Sequence, residues 1–316
     1  MGHLLRVGSR ASRLALVQTE WVVARLREAW PDLEIRVEKI RTTGDASRAT
    51  PLATAPAGLG VGVFVKELEQ ALRDGRIDLA VHSMKDVPTR VPEGLEVEAA
   101  VPARSDPRDC LLTSAGQSLE DLARGAMVGT SSPRRRAMLL AVRADLRFTD
   151  LRGNVETRLA KLAAGRCDAT VLARAGLERL GLVDARAWTV PVSVALPAAG
   201  QGALGLEFRV NDEKVRGRVA ALDDAASRWA VTAERALVRR LGAGCRTPLG
   251  VLGQVDGAGR LALEAYLVSA DGRASLRERA EGPADEAGAI GVRLAETLLR
   301  AGAARWIERG TTADDT

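Results

Sequence analysis

The stretch MVGTSSPRRRAMLLAVR, residues 127–143, reads as a short strand turning directly into a helix. Met127 to Gly129 supply the strand. Ser132 is a good N-cap, and Pro133 suits the first helical position, where its missing N–H costs nothing. The helix is then expected from Ser132 to Arg143. A strand, a tight polar turn and a capped helix in so short a span form one βα unit.

The unit repeats on both sides. Downstream, Leu146 to Leu151 reads as a strand, Asn154 to Ala164 as a helix and Cys167 to Ala173 as a strand. Upstream, Ser118 to Asp121 has the S-x-x-D form of a small capping box and predicts a short helix. Before the break at Asp106-Pro107 comes a similar run: strand Leu4 to Val7, a Ser12-capped helix to about Glu28, strand Glu34 to Ile40, helix Phe64 to Arg73 and strand Ile77 to His82. Alternating βα units predict an α/β fold with two doubly wound, mostly parallel sheets covered on both faces. Pro191 to Pro197 reads as a crossover back towards the first unit. From about Leu222 the pattern changes to a helix ending at Leu241, a Gly-rich turn at 242–244, a meander near 249–255, 260–269 and 274–280, and a last helix over roughly 284–302. That is a small α+β unit, with a tail after Gly310 expected to fray. Residues 42–63 hold Gly44, Gly58, Gly60 and Gly62 without clear periodicity, which fits a lid or binding loop, or else a plain disordered insertion.

Composition bounds the chemistry. The chain has 316 residues, 46% of them hydrophobic, enough for a packed core and two or three domains. Arg6, Arg10 and Arg13 interrupt the apolar N-terminus, so no export signal is expected, and no apolar run is long enough to span a bilayer. These features predict a soluble, cytoplasmic protein. Cys110, Cys167 and Cys245 lie far apart, against a disulfide framework or a zinc site, and no metal is expected. His3 and His82 are the only histidines, so catalysis must rest on carboxylates, arginines or a thiol. Of 46 basic residues five are lysines (39, 66, 85, 161 and 214), leaving 41 arginines. A GC-rich genome explains much of that skew; recognition of carboxylates or phosphates by the planar guanidinium is the functional alternative.

Ligands of open α/β sheets sit beyond the carboxyl ends of the strands. Here those ends carry Ser9, Arg10 and Ser12; Ser83, Lys85 and Asp86; the segment GTSSPRRR; and Arg152, Asn154 and Arg158. Only one of these groups is acidic, which suits an anionic ligand. Arg134, Arg135 and Arg136 fall in a first helical turn, where cations are unfavourable by roughly 0.3–1 kcal/mol each. Either they share an anion with the free N–H groups there, or their long side chains swing into solvent. Asp86 precedes Pro88 by two residues and reads as a turn cap, or as the one group able to stabilise a cation within a cationic cleft. Cys245 follows two glycines in LGAGCRTPLG, with Arg246 beside it to favour a thiolate, whereas Cys110 and Cys167 read as small packed residues. His82 reads as a buried hydrogen-bonding residue, and the five tryptophans as packing.

At these motifs the chain resembles the porphobilinogen deaminases along nearly its whole length. The matching pieces are GSRASRLALVQ (8–18), FVKELE (64–69), HSMKDVP (82–88), DPRD (106–109), VGTSSPRR (128–135), LRGNVETR (151–158), AGLERLG (175–181), LPAAGQGALGLE (196–207) and GAGCRTPLG (242–250). The resemblance implies two domains like periplasmic anion-binding proteins, residues 1–102 with 200–220 and residues 103–199, and a third, 221–316, holding the cysteine loop. It implies a dipyrromethane cofactor joined by a thioether at Cys245, to which four porphobilinogens are added with loss of ammonia before water releases the tetrapyrrole. Asp86 matches the family's catalytic acid, which stabilises the cationic azafulvene left when ammonia departs. Arg10, Ser12, Ser83, Lys85, Thr130, Ser131, Ser132, Arg134, Arg135, Arg152, Gly153 and Asn154 match positions that hold the cofactor. Arg10, Gln18, Phe64, Arg152, Arg158, Arg179 and Gln201 match positions that bind substrate. Two departures stand out: Val61 replaces a lysine usual in the lid, a cation that Arg48 could supply, and Pro133 replaces the more usual leucine.

Two other readings compete. A non-catalytic anion-binding protein of the periplasmic type explains the α/β units and the arginines, but neither Cys245 nor Asp86. A nucleic-acid binder would need a continuous basic stripe and rings to stack on bases, and aromatics make up only 3%. The expectation is an enzyme acting on porphobilinogen, as a monomer, with no nucleic-acid or membrane partner.

Overall fold

A computed structural model describes residues 4–41, 65–184, 186–244 and 246–307. The chain opens with strand β1 (Leu5–Arg10), helix α1 (Arg13–Ala29), β2 (Ile35–Ile40), α2 (Lys66–Arg73), β3 (Leu79–Ser83), a 3-10 turn at Met84–Asp86 and β4 (Leu95–Glu96). A second run follows: β5 (Asp109–Thr113), β6 (Met127–Gly129), α3 (Pro133–Val142), β7 (Arg147–Thr149), α4 (Val155–Ala163), β8 (Ala169–Ala173), α5 (Arg174–Arg179) and β9 (Ala187–Thr189). Then come β10 (Leu204–Arg209), α6 (Glu213–Val219), α7 (Ala225–Leu241), β11 (Leu249–Val255), β12 (Arg260–Val268), β13 (Ser275–Pro283) and α8 (Ala287–Arg300).

Three sheets result. The first has the order β2-β1-β3-β10-β4, the second β7-β6-β8-β5-β9, and the third is the meander β11-β12-β13. The first two share a plan: the second, first and third strands of a βαβ run lie parallel, and the next strand runs against them. Each sheet is therefore mixed: four strands point one way and one, β10 or β5, runs against them. The opposed strands, β5 and β10, are the ones that enter straight from the other half. Asp109 at the start of β5 pairs with Ala173 at the end of β8, and Leu204 at the start of β10 pairs with Ser83 at the end of β3. A chain arriving at the carboxyl ends of the parallel strands has to run back along them. The topology thereby delivers both crossing segments to the edge where ligands bind.

Local sequence explains the helices. Ser12, Ser132 and Asn154 cap α1, α3 and α4 by accepting from the backbone N–H of Ala15, Arg135 and Thr157. Pro133 takes the first position of α3, as its fixed φ predicts. Gly242 closes α7 at φ +65°, a conformation that favours glycine. The expected helix at Ser118–Asp121 does not form. Ser118 Oγ donates to Asp121 Oδ2 at 2.6 Å and the Ser118 N–H donates to the same oxygen at 3.1 Å, so the box is present. The chain instead turns at Gly125 (φ +74°) and enters β6 at Met127, leaving no length for a helix.

Each sheet has its own apolar core, around Leu5, Val7, Leu79 and Phe208 in the first, Val128, Met138 and Val171 in the second, and Val251, Leu263 and Leu294 in the third. Trp188, Trp229 and Trp306 pack against these cores. Trp21 and Trp30 do not; both are exposed, contrary to the packing expectation, because they lie on the outer side of α1 and at its end. Among the described residues no helix is long and apolar enough to cross a membrane.

Where the two halves exchange chain, Ser105 N–H donates to Gly202 O at 3.3 Å. Gly202 sits at φ +87°, and a Cβ there would lie 2.4 Å from Ser105 O, so this crossing requires glycine. Glu234 of α7, fully buried, accepts from Gly200 N (2.6 Å), Gly253 N (2.8 Å) and Arg104 Nη1 (2.6 Å). Both crossings are thus tied to the third sheet.

Candidate active site

The strand ends of the first sheet make a cleft lined by Arg10, Ser12, Gln18, His82, Ser83 and Asp86 among others. Five of these had been expected at a ligand. The loop from β1 into α1 brings Arg10 and Ser12, and α1 has no acidic residue in its first turn to neutralise its free N–H groups. Gln18, buried one turn further on, donates from Nε2 to Ser83 Oγ at 2.9 Å and orients that hydroxyl at the end of β3. The 3-10 turn then presents Asp86 as an exposed carboxyl. Burial pushes the Lys85 ammonium down to about 8, against the opposing pull of Asp86.

The second half faces this cleft with arginines, but two of them are already occupied. Arg134 and Arg135 are buried and grip one carboxylate: Arg134 Nη2 to Asp109 Oδ2 at 2.8 Å and Arg135 Nη2 to Asp109 Oδ1 at 2.7 Å. They also donate to Leu196 O (2.6 Å) and Val171 O (2.8 Å). Burial works to raise the Asp109 carboxyl, yet the two guanidiniums and the hydrogen bonds from Arg135 and Gln201 outweigh it and hold it well below the usual carboxylate range. The anion that these helix-start arginines share is therefore the chain's own Asp109. Only Arg136 turns outward, its guanidinium 5.7 Å from the Phe148 ring centroid. Not all donors here are spent. Among the described residues Arg135 Nε and Ser131 Oγ are buried without a hydrogen-bond partner. Thr130 Oγ1 accepts from Ser132 N–H at 3.2 Å, which shapes the turn.

Gln201 was expected at the substrate and is instead enclosed. Its Oε1 accepts from Lys85 Nζ (3.2 Å), and its Nε2 donates to Pro107 O (2.7 Å) and Asp109 Oδ1 (2.8 Å). One polar chain thus runs from Lys85 through Gln201 to Asp109 and the two arginines, joining the halves. Asn154 is likewise occupied: its Oδ1 accepts from Thr157 N (2.9 Å) and Thr157 Oγ1 (2.5 Å) as the cap of α4. Gly153, at φ +118°, offers its carbonyl to Arg158 Nε at 2.9 Å. Arg152 Nε lies 3.3 Å from Asp150 Oδ2. Arg158 is lowered to about 10, first by burial and then by Arg135, with Asp86 pulling the other way, so it senses the first half's carboxyl from the second half's helix. Burial likewise lowers Arg179 to about 10; its Nη2 donates to Gly202 O at 2.7 Å and Ser105 Oγ at 3.2 Å, on the crossing segments. Phe64, Cys245 and the glycine-rich loop at 42–63, with Val61 and Arg48, lie outside the described residues.

Sequence reading missed Asp109 and Arg235, and the partner of His82. Asp109 was visible only as the last residue of DPRD, a turn-like motif with nothing local to mark its partners 25 and 26 residues away. His82 was expected to be buried and hydrogen-bonded, but its partner, Glu207 Oε2 at 2.9 Å, is 125 residues distant. Arg235, in the middle of α7, carries no local motif and is fully enclosed. Cys110 and Cys167 are buried as expected, and burial pushes both thiols up.

Among the described residues the site combines one exposed carboxyl, a partly buried ammonium, arginines from two sheets and two buried donors without partners. Such a donor set fits a rigid ligand bearing several carboxylates, and it fits a bound polyanionic cofactor. Comparison with known proteins gives that ligand an identity. Residues 5–217 match the family described as porphobilinogen deaminase, dipyrromethane cofactor binding domain, and residues 229–300 match its C-terminal domain. The porphobilinogen deaminase of Desulforudis audaxviator is 49% identical over 96% of this chain and 96% of its own. That of Geotalea uraniireducens is 46% identical over 94% and 92% respectively. Among solved structures, the VFT2 domain of Bordetella pertussis BvgS aligns with a TM-score of 0.41 and 15% identity, over 69% of this chain and 86% of that domain. With both family regions matched in order and such identity over nearly all of each relative, the chain belongs to the porphobilinogen deaminase family.

Proposed function

We propose that this cleft carries out the hydroxymethylbilane synthase reaction: four porphobilinogens joined head to tail with loss of ammonia, then hydrolytic release of the linear tetrapyrrole for porphyrin and haem biosynthesis. The observation that carries the reading is the single exposed carboxyl of Asp86 facing cations contributed by both halves. Porphobilinogen bears an acetate and a propionate, so a growing chain accumulates negative charge that only an arginine-rich site will tolerate. Departure of ammonia leaves a cation, and Asp86 is the acid placed to stabilise it and to take and return pyrrole N–H protons. A histidine there would be positive when protonated and would do the first task badly.

When bound, the dipyrromethane cofactor supplies the pyrrole end to which each unit is added. Cys245 is its proposed thioether anchor. Arg10, Ser12, Ser83 and Lys85 would hold it from the first half; Thr130, Ser131, Ser132, Arg135, Arg152 and Gly153 would do so from the second. The orphaned Ser131 Oγ and Arg135 Nε support that assignment. Arg134 and Gln201 are reassigned to holding the frame, because their polar atoms are already engaged, whereas Asn154 spends Oδ1 on the cap of α4 and keeps Nδ2 as its proposed cofactor donor. Gln18, Phe64, Arg158 and Arg179 remain the proposed contacts of incoming substrate, together with Arg10 and Arg152. Three domains with the boundaries 1–102 plus 200–220, 103–199 and 221–316 are supported by the three separate sheets and cores. A cytoplasmic monomer is the proposed working form.

Intact-mass spectrometry tests the reading. Protein purified from cells that make haem should carry a covalent adduct of dipyrromethane size, absent from Cys245→Ser. An unmodified wild-type mass would overturn it.

A further inference from the structure

Arg235 is the largest of the fully buried side chains, and an arginine is almost never so enclosed without partners. Its position in α7 is 2% exposed. Nε donates to Glu98 Oε1 at 2.7 Å, Nη1 to Val87 O at 3.0 Å and Nη2 to Pro88 O at 2.8 Å. Val87 and Pro88 directly follow Asp86. The guanidinium therefore holds both backbone carbonyls that leave the 3-10 turn.

The turn is pinned at its other end as well. Met84 N–H donates to Ala203 O at 3.0 Å, and Val87 N–H closes the turn on Met84 O at 3.1 Å. Between these two anchors the turn carries Lys85 and Asp86. The rear anchor comes from a helix outside both doubly wound sheets. That same helix runs on to Leu241 and Gly242, three residues before Cys245.

We propose that Arg235 is a positioning residue: it fixes the carboxyl of Asp86 relative to α7. The proposal rests on the reading of Asp86 as the acid. A planar fork suits the task, because two divergent carbonyls are held by one group whose shape does not change. Small displacements at a reacting centre are costly, with a shift of about 1 Å able to remove on the order of a hundredfold in rate.

The test uses holoenzyme from cells that supply the cofactor. Arg235→Met should still carry the adduct, and its kcat per loaded site should fall roughly 30- to 100-fold with KM changed less than about threefold. Arg235→Lys, which can donate to a carbonyl but not span two, should recover most of that loss and remain roughly three- to tenfold slow. Glu98→Gln removes the ion pair, leaves both carbonyl bonds and should stay within about twofold of wild type. The acid limb of the kcat–pH profile should move in Arg235→Met and return in Arg235→Lys. Wild-type kcat in Arg235→Met, or a Glu98→Gln loss as large as that of Arg235→Met, overturns the proposal. Should Arg235→Met fail to fold, Arg235→Lys decides: a wild-type kcat and pH profile in it overturns the proposal. Asp86→Asn measured alongside separates the two readings. Normal turnover in Asp86→Asn removes the acid and the positioning role together, whereas slow Asp86→Asn with fast Arg235→Met removes the positioning role alone.

Discussion

The two α/β halves share a strand plan and differ in what they do with a carboxylate at the cleft edge. In the first half Asp86 is exposed on a 3-10 turn, beside an ammonium lowered by burial. In the second half Asp109 is buried at the start of β5 and gripped by Arg134, Arg135 and Gln201. One acid is left available for chemistry; the other is consumed in arranging cations. The difference teaches that arginine-rich strand ends need an internal counter-charge before they can be held still. Two buried guanidiniums side by side would otherwise repel, and each carries a desolvation cost of several kcal/mol.

The widest separation between the halves should appear in activity. Asp86→Asn is expected to lower kcat by about 10²–10⁴-fold, the range for loss of a positioned acid or base, while leaving the melting temperature nearly unchanged because the side chain is exposed. Intact mass should show the adduct retained or stalled at a substrate intermediate. Near-normal turnover would break the comparison by removing Asp86 from the chemistry.

Asp109→Asn inverts that pattern. Leaving Arg134 and Arg135 buried without their carboxylate is expected to cost about 3–5 kcal/mol of stability, measured by urea unfolding. Activity should fall too, but through a smaller folded and cofactor-loaded fraction. A stable Asp109→Asn protein with full loading would mean that the arginines find another anion at once, and that Asp109 is dispensable to the frame.

The halves also differ in how far they were legible in the chain. Helix starts at Ser12, Ser132 and Asn154 could be read because a cap is a local signal: one side chain and the N–H three residues on. The strand ends followed from period and turn residues, so Arg10, Ser83, Asp86 and Arg158 were placed on the right edge before any geometry. Strand direction was not legible. β5 and β10 run against their neighbours because of where the chain enters the sheet, and no residue within either strand records that. The Asp109 cluster was hidden for the same reason, since its partners come from β5, α3 and the second crossing. Arg134 and Gln201 matched ligand-binding motifs, yet each has its polar atoms occupied by protein, and Asn154 has its Oδ1 spent on a helix cap. A motif match fixes which residues sit near a ligand; it does not say which of them touch it.

Lys85 sharpens the comparison through pH. Its folded-state value, about 8, lies below the ordinary lysine value of 10.5 because burial disfavours the charge. Between those values the unfolded chain binds the proton more readily than the folded one, so stability rises with pH across the window. At about 1.36 kcal/mol per unit the gain is on the order of 3–4 kcal/mol as an upper figure. Cofactor-free Cys245→Ser should show this rise in urea unfolding between pH 8 and 10.5, and Cys245→Ser/Lys85→Met should not. Loaded wild type should show less of it, since a bound polyanion favours the ammonium. Equal slopes in all three proteins would place the lysine in water, outside the site.

The smallest effect concerns Asn154, on the arginine side. Its Oδ1 caps α4, a helix with no buried residue of its own to hold it down. Asn154→Ala should therefore cost about 1 kcal/mol of stability, the ordinary price of a lost cap. Because Oδ1 is spent on Thr157, kcat/KM should stay within about twofold of wild type. Asn154→Asp keeps an acceptor at the helix start and should restore stability, while placing a new negative charge near Arg152 and Arg158. If that substitution restores stability but weakens substrate binding, the cap and the cationic surface are separate properties of one position. If Asn154→Ala alone weakens binding tenfold, the side chain leaves its cap to meet the ligand, and the second half is less preformed than its buried Asp109 cluster implies.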